Sequence, residues 1–593
     1  MSIRGLPSHD PSHPLRQNRR HRFSSLDPMR RTDIDMKLTR NRNLFNADCS
    51  TIFYNPKLWQ PEGGPFSAKA VHRFVDVVAD SGVDTLLINP NAQIAWYPSK
   101  VIPTNLDEYK RGDREFVRGH LASNPDPVPD INKQLDELCA GLNLYLDLVK
   151  AGVDWVAEMI AVCRRRRITP WSSVRMNDTH GAANPEGSWF NCPLYKNSKY
   201  RLSGKVPNPK DKPFVWFVGL NYEHREVRDF YFAQIRELVN DYDFDGMELD
   251  WTRHLPIFEM PASQKNIETI TGWIAEIRAL TEANAGRTGK RYPLGMRVLA
   301  DLDKCRSFGI DVRELARLGL IDFVVAADFY HTSWDTPHDR LRAELGDDIS
   351  VYGTTETIAN WLMIPSTKQP GVEKFRYMAA SPPLLRGNAA GKLALGADGI
   401  EQFNFFCADA HDPNLGDPKM ESGLGMRCDY PALRGIAELE NLRGKPKHYT
   451  LSMSPTVGWM PPHIEAVEQL PALIEFGSRR AFNLPMAREP LNSGLSLTLQ
   501  VVIEKREKLP DLGVSFNGSW PTFDAKPTDQ LFFPTGPFNR FGLAHQTFNY
   551  RLDLAGLKEG WNEVVVYCGS HDASTTTRRN DAVRIVSIEI AVM

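Results

Sequence analysis

Between residues 46 and 440, short apolar runs alternate with segments whose apolar positions recur every three to four residues. The runs are TIFYN (51–55), TLLINPN (85–91), TPWSSVRMN (169–177), GMELDW (246–251), PLGMRVLAD (293–301), DFVVAADF (322–329), ISVYGTTE (349–356) and GIEQFNFF (399–406). They read as strands, and AVHRFVDVVADSG, QLDELCAGLNLYLDLVKAG, EVRDFYFAQIRELVNDY and NIETITGWIAEIRAL between them read as amphipathic helices. Strands that alternate with helices predict a parallel sheet, and eight of them predict a closed (β/α)8 barrel. The phrases SGVDTLLIN, YDFDGMELD, LGLIDFVVAAD and LGADGIEQFNF share one form, a small residue and an Asp ahead of a strand. Gly suits the left-handed helix cap and Asp the turn that follows.

After about residue 445 the helical spacing fades. HYTLSM, SLTLQVVIEK, HQTFNYRLDL, WNEVVVYC and VRIVSIEIAV alternate apolar and polar residues, with Gly, Pro and Asn between them. This predicts an all-β module over 445–593, a sandwich or jelly roll. It serves either as a carbohydrate-binding module or as a stabilising partner of the barrel. Residues 1–45 are rich in Arg, Ser, His and Pro and predict a disordered basic tail or a misplaced start. Within the barrel, residues 92–132 and 178–213 are long polar insertions after strands two and three. Both therefore belong to the C-terminal face, where barrel enzymes keep their sites, and suit lids or substrate walls.

Composition narrows the partners. A net charge of −2 gives no electrostatic reason to expect nucleic acid or a membrane surface. No apolar run is long enough to span a bilayer, and the N-terminus lacks the apolar stretch of a secretory signal. The eight Cys form no CxxC pair and fit free thiols in a reducing compartment, so a cytoplasmic location is expected. Sequence offers no guide to oligomeric state.

Candidate chemistry lies at the strand ends. On GMELDW, alternation turns Met247 and Leu249 toward the helices, and Glu248 and Asp250 toward the interior, with Asp250 nearer the open end. Arg175 and Arg297 sit on the matching faces of strands three and five. A buried Glu between two Arg reads first as a structural strut, which makes Asp250 the working acid and Glu248 a secondary candidate. Hydrolysis of a glycosidic bond takes two carboxyl groups. Asp328 and Glu356 are the candidate partners, with Asp301 a further acid at a strand end that equally suits a helix cap. Asn89, Asn177, His180, Asn221, Tyr222, Arg253, His254, Tyr330, His331 and Asn404 cluster on the same face as candidate hydroxyl ligands. Trp96 and Trp251, with Trp171 and Trp334, are candidate stacking platforms. His180 and Asp178 amount to two metal ligands, short of a site, so no metal or cofactor is expected.

SVRMND (173–178), LNYEHREVRDFY (220–231), YDFDGMELDW (242–251) and GADGIEQFNF (396–405) together resemble the glycosyl-hydrolase-like family 10 barrels and related bacterial barrels. The resemblance spans about 46–440 and implies a glycosidase, without a substrate. DFDGMELDWT also resembles the strand-four motif of family 18 chitinases, but Glu248 replaces its middle Asp and Thr252 its terminal acid Glu. That departure removes the chitinase proton donor. Retaining α-glycosidase clans place an Asp nucleophile at the end of strand four and the acid two strands on, a layout that Asp250 with Asp328 fits. The large β-glycosidase clan uses Glu after strands four and seven, which Asp250 with Glu356 half fits. The expected activity is hydrolysis of a poly- or oligosaccharide. A non-catalytic carbohydrate-binding barrel and a metal-dependent isomerase or lyase are the alternatives.

Overall fold

The computed structural model describes residues 37–47, 51–54, 56–60, 62–121, 130–204, 218–327, 332–356, 358–365, 373–379, 381–403, 430–452, 469–507, 510–521, 527–532, 544–569 and 582–593. Asp328, Tyr330, His331 and Asn404 lie outside these residues.

Eight parallel strands close into a barrel. They are β1 (Asn43–Ala47), β2 (Thr85–Ile88), β3 (Thr169–Arg175), β4 (Met247–Asp250), β5 (Leu294–Leu299), β6 (Phe323–Ala327), β7 (Ser350–Glu356) and, after an antiparallel hairpin of β8 (Ile358–Pro365) and β9 (Glu373–Ala379), β10 (Gly399–Phe403). Seven of these barrel strands lie where the apolar runs predict them. The first does not. TIFYN was expected as a strand, but Thr51–Tyr54 is helical, and Ile52 and Phe53 are buried, with Phe53 against Phe66, Tyr145 and Trp155. Strand β1 is instead NLFNA, which overlaps the stretch read as a tail. Pairing with β10 on one side and β2 on the other imposes its extended form.

The helices follow from their spacing. Ala68–Asp80 buries Ala70, Val71, Phe74, Val75 and Val78 on one face, and the Ser67 side chain caps its first turn. The barrel interior is split in character. Leu44, Leu87, Trp171, Phe323, Val325 and Tyr352 form an apolar floor. Above it, toward the C-terminal ends of the strands, the inward positions turn polar: Asn46, Ser173, Arg175, Glu248, Asp250, Arg297, Glu356 and Glu401, all buried. Trp171 therefore belongs to the floor, stacked on Phe323 at 4.8 Å, and offers no platform at the open end.

The C-terminal module consists of two antiparallel sheets. Strands β11 (Lys447–Ser452), β18 (Val583–Val592), β14 (Leu497–Glu504) and β16 (His545–Leu552) pair in that order, with β12 (Ala472–Ile474) on β18. Strands β13 (Ser478–Met486), β17 (Gly560–Cys568) and β15 (Leu512–Phe516) form the second sheet. Barrel and sheets meet along the helix Pro382–Ala394. A Cβ at Gly387 would lie 2.1 Å from the carbonyl oxygen of His448, so only a glycine lets helix and β11 approach this closely. Nearby, Lys447 and Glu489 form a fully buried ion pair at 2.5 Å. Cys139, Cys163, Cys192, Cys305 and Cys568 are buried and form no disulfide among the described residues. Among the described residues no helix is long and apolar enough to cross a membrane.

Gly387→Ala is expected to cost about 1–3 kcal/mol through overpacking against backbone. Urea unfolding reads this as a lower midpoint, and an unchanged midpoint would mean that helix and sheet do not meet this tightly.

Candidate functional site

Strands β4, β5, β7 and β10 each send one or two charged side chains inward, and these meet at Arg297. Its guanidinium lies 3.3 Å from Asp250 Oδ1, 3.5 Å from Glu356 Oε1 and 3.5 Å from Glu401 Oε1. Its plane rests on the ring of Phe403, 3.4 Å from the centroid, and the Arg253 guanidinium lies 5.3 Å from the same ring. Burial works against the charge on Arg297, but the carboxylates of Asp250, Glu401, Glu356 and Glu248 outweigh it and hold the group protonated above its ordinary range. Since Asp250, Glu356 and Glu401 share one guanidinium, each lies well within about 10 Å of the others, the span across which a glycosidase pair works.

The acids differ in their surroundings. Asp250 Oδ1 accepts from Thr252 N at 3.0 Å and Thr252 Oγ1 at 2.7 Å, in addition to Arg297. Thr252, at the position of the chitinase proton donor, thus serves here to orient Asp250. Glu248 Oε1 accepts from Asn46 Nδ2 at 2.9 Å and Ser173 Oγ at 2.7 Å. Burial, then the charge of Asp250, pushes the Glu248 carboxyl up to about 7. Burial and the facing Glu248 raise Glu401 well above its ordinary value. Glu248 Oε2 and both oxygens of Glu401 receive no hydrogen bond from other described groups, and a proton held between the two acids supplies one.

A second cluster sits at the rim, after β3 and β4. His180 Nδ1 donates to the buried Asp178 carboxylate, 2.9 Å from each oxygen. Arg175 Nη1 lies 3.6 Å from Asp178, and His254 packs edge-on to His180 at 5.0 Å between ring centroids. Burial would raise Asp178, but His180, His254 and Arg175 hold it below the ordinary carboxylate range. Burial holds His254 well below its usual value, and its backbone is left-handed, with φ 58°. Asp178, His180 and His254 bring ligand atoms within 4.8 Å of one another. However, His254 Nδ1 accepts from Thr179 N at 3.0 Å, so in the neutral ring the proton sits on Nε2. His180 Nδ1 in turn carries the proton given to Asp178. A metal at His254 would have to displace the hydrogen bond from Thr179, whereas His180, with its proton on Nδ1, presents Nε2 as a ligand atom.

The two insertions build a wall beside this rim. Trp96 packs on Trp189 and Phe190, and His120 stacks on Phe190 at 4.1 Å. Burial lowers His120 to about 4.

Other expected site residues lie elsewhere. Tyr222 and Trp251 face the helix layer, packed on each other and on Trp273, and the Tyr222 hydroxyl donates to the Met176 carbonyl. Alternation explains this, since Trp251 shares the outward face of Met247 and Leu249. Asp301 caps the helix Leu302–Ser307, accepting from Asp303 N and Lys304 N. Asn89 Nδ2 donates to the Ser173 carbonyl, Asn177 Oδ1 accepts from Leu220 N and Asp178 N, and Asn221 Oδ1 accepts from Glu223 N. These three amides shape the backbone around the site. Glu401 and Phe403 were not foreseen, although alternation along GIEQF puts both on the inward face.

No protein-family model matches the chain, and no curated protein does. The likeness to glycosyl-hydrolase-like family 10 therefore rests on the phrases alone. Among solved structures, the chain is similar to α-L-fucosidase isoenzyme 2 from Paenibacillus thiaminolyticus (12% identity, TM-score 0.36, covering 68% of this chain and 49% of that one). It is also similar to α-L-fucosidase from Vibrio sp. strain EJY3 (10% identity, TM-score 0.35, 93% and 96%). A third is the noncanonic maltogenic α-amylase AmyB from Thermotoga neapolitana (9% identity, TM-score 0.33, 87% and 99%). This chain spans about half the length of the Paenibacillus enzyme. All three neighbours are glycoside hydrolases by name. Likenesses this remote carry no argument about this chain's activity.

The shared proton has a consequence for stability. The folded-state value of Glu248 lies above the ordinary 4.5, so the pair's contribution is full below about pH 4.5 and is lost as pH rises through about 7. Glu248→Gln removes the group that titrates there and should flatten the fall in melting temperature across that window. A slope equal to that of the wild type would contradict a proton held between the two acids.

Proposed function

We propose that the protein is a glycoside hydrolase that cleaves O-glycosidic bonds of a poly- or oligosaccharide at the C-terminal end of the barrel. The observation that carries this reading is the set of carboxyl groups from β4, β7 and β10 gathered on Arg297. Asp250, fixed by Thr252 and Arg297, acts as nucleophile or charge stabiliser, and Glu356 on the same guanidinium is its partner. Asp328 remains the alternative partner. Two carboxyl groups facing one substrate are what glycosidic cleavage requires. Glu248 and Glu401, deeper along the axis, hold a proton that sets the charge of the cluster. Arg175, Arg253, His180 and His254 at the rim are the proposed hydroxyl ligands, and Trp96 belongs to the proposed substrate wall.

A second reading draws on burial. Asp250, Glu356, Glu248 and Glu401 are each no more than 1% exposed. Acids so enclosed also suit a barrel that binds saccharide without cleaving it.

Asp250→Asn should abolish reducing-end release from a responsive polysaccharide, at least about a hundredfold, on the scale of losing one acid–base group, with the melting temperature retained. Turnover kept in that variant would sink the assignment. Saccharide binding by calorimetry, with no product from the wild type, would establish the non-catalytic reading instead.

A further inference from the structure

The outer face of the sheet β13–β17–β15 carries an aromatic pair. Trp520 is 63% exposed, yet its indole stacks on Tyr567 with centroids 5.1 Å apart and planes 31° from parallel. A short turn sets this position. Asn517 and Gly518 take left-handed backbone, φ 51° and 84°, and the chain reverses between Phe516 and Ser519, which exchange hydrogen bonds of 2.8 and 2.9 Å. The reversal lays Trp520 back over its own strand. At Gly513 the missing side chain makes room, since a Cβ would lie 3.1 Å from the indole. Asn517 anchors the turn to β17. Its Nδ2 donates to Gly556 O and Asn562 Oδ1 at 2.8 Å each, and its Oδ1 accepts from Glu563 N at 2.9 Å.

The rim of the pair is charged. Arg479 lies opposite Tyr567 in register, with its guanidinium 5.9 Å from that ring. Asn483 and Glu563, paired in register and exposed, extend hydrogen-bonding groups along the same face. A protein interface of useful size needs an apolar core of several side chains. Among the described residues the exposed aromatic area on this face is one ring pair, bordered by Arg479, Asn483 and Glu563. A pyranose matches it, with an apolar C–H face for the indole and equatorial hydroxyls for the rim. The fixed turn holds the platform in place before the ligand arrives, so little ordering cost remains on binding.

We infer that Trp520 and Tyr567, with Arg479, form a saccharide-binding platform on the C-terminal module, remote in sequence from the acids of the barrel. This rests on the reading of the barrel as a glycosidase, and the platform would hold the same polymer that the barrel cuts.

The test is affinity electrophoresis of the full chain carrying Asp250→Asn, in gels containing xylan, glucomannan, laminarin, pullulan or pectin. At least one polymer should retard the protein. Adding Trp520→Ala should weaken that retardation about tenfold or more in apparent Kd, as loss of an aromatic anchor does, and Trp520→Phe should keep part of it. Retardation by none of the polymers, or equal retardation of Trp520→Ala, overturns the inference. So does Trp520-dependent self-association in light scattering without any saccharide effect. Wild-type hydrolysis separates the two claims. Platform binding without hydrolysis fails the glycosidase reading alone, and hydrolysis without Trp520-dependent binding fails the platform alone.

Discussion

One buried guanidinium organises the centre of this protein. Arg297, 1% exposed, has taken a full positive charge out of water. Such a charge costs several kcal/mol unless it is paired, and the acids around it would cost as much without it. Strands β4, β7 and β10 each supply a carboxylate, and β10 adds Phe403 as the surface on which the guanidinium lies. The interaction therefore ties strands from different parts of the barrel wall to a single point. Closure of the barrel and assembly of the candidate site become one constraint.

The rest of the architecture is arranged about that point. Below it, Trp171, Phe323 and Tyr352 fill the barrel with apolar volume, so the charges sit on a dry floor. In such surroundings two acids as close as Glu248 and Glu401 cannot both ionise near neutrality. Above, Arg175 reaches from β3 toward Asp178 and links the axial charges to the rim, where His180 and His254 stand beside an aromatic wall made by the two long insertions. The sandwich is held against the barrel through backbone-close packing at Gly387 and the buried Lys447–Glu489 pair.

Much of this was legible in the chain, and the gaps have physical causes. Parallel strands buried on both faces read as apolar runs, which is why β2 to β7 and β10 were plain. NLFNA carries an Asn at two of its five positions, and Asn46 faces inward to serve Glu248, so the strand lacks the apolar signature that tertiary pairing makes unnecessary. Within TIFY, Phe53 is apolar because it packs from a helix on Phe66 and Tyr145. The inward placement of Glu248, Asp250, Arg175 and Arg297 followed from period-two alternation, and the same rule turns Trp251 outward. Tyr222 could not be placed this way, because loop residues have no period. Asp301 took the cap that its position before a helix favours. Glu401 was overlooked although the alternation that placed Glu248 places it as well.

The most direct measurement is the unfolding free energy of Arg297→Met, by urea titration at neutral pH and again under acid conditions. With the guanidinium at the hub, the variant is expected to lose about 3–5 kcal/mol at neutral pH, the cost of leaving buried carboxylates without their cation. Part of that loss should return in acid, where the stranded carboxyl groups take up protons. A variant as stable as the wild type at neutral pH would contradict the account.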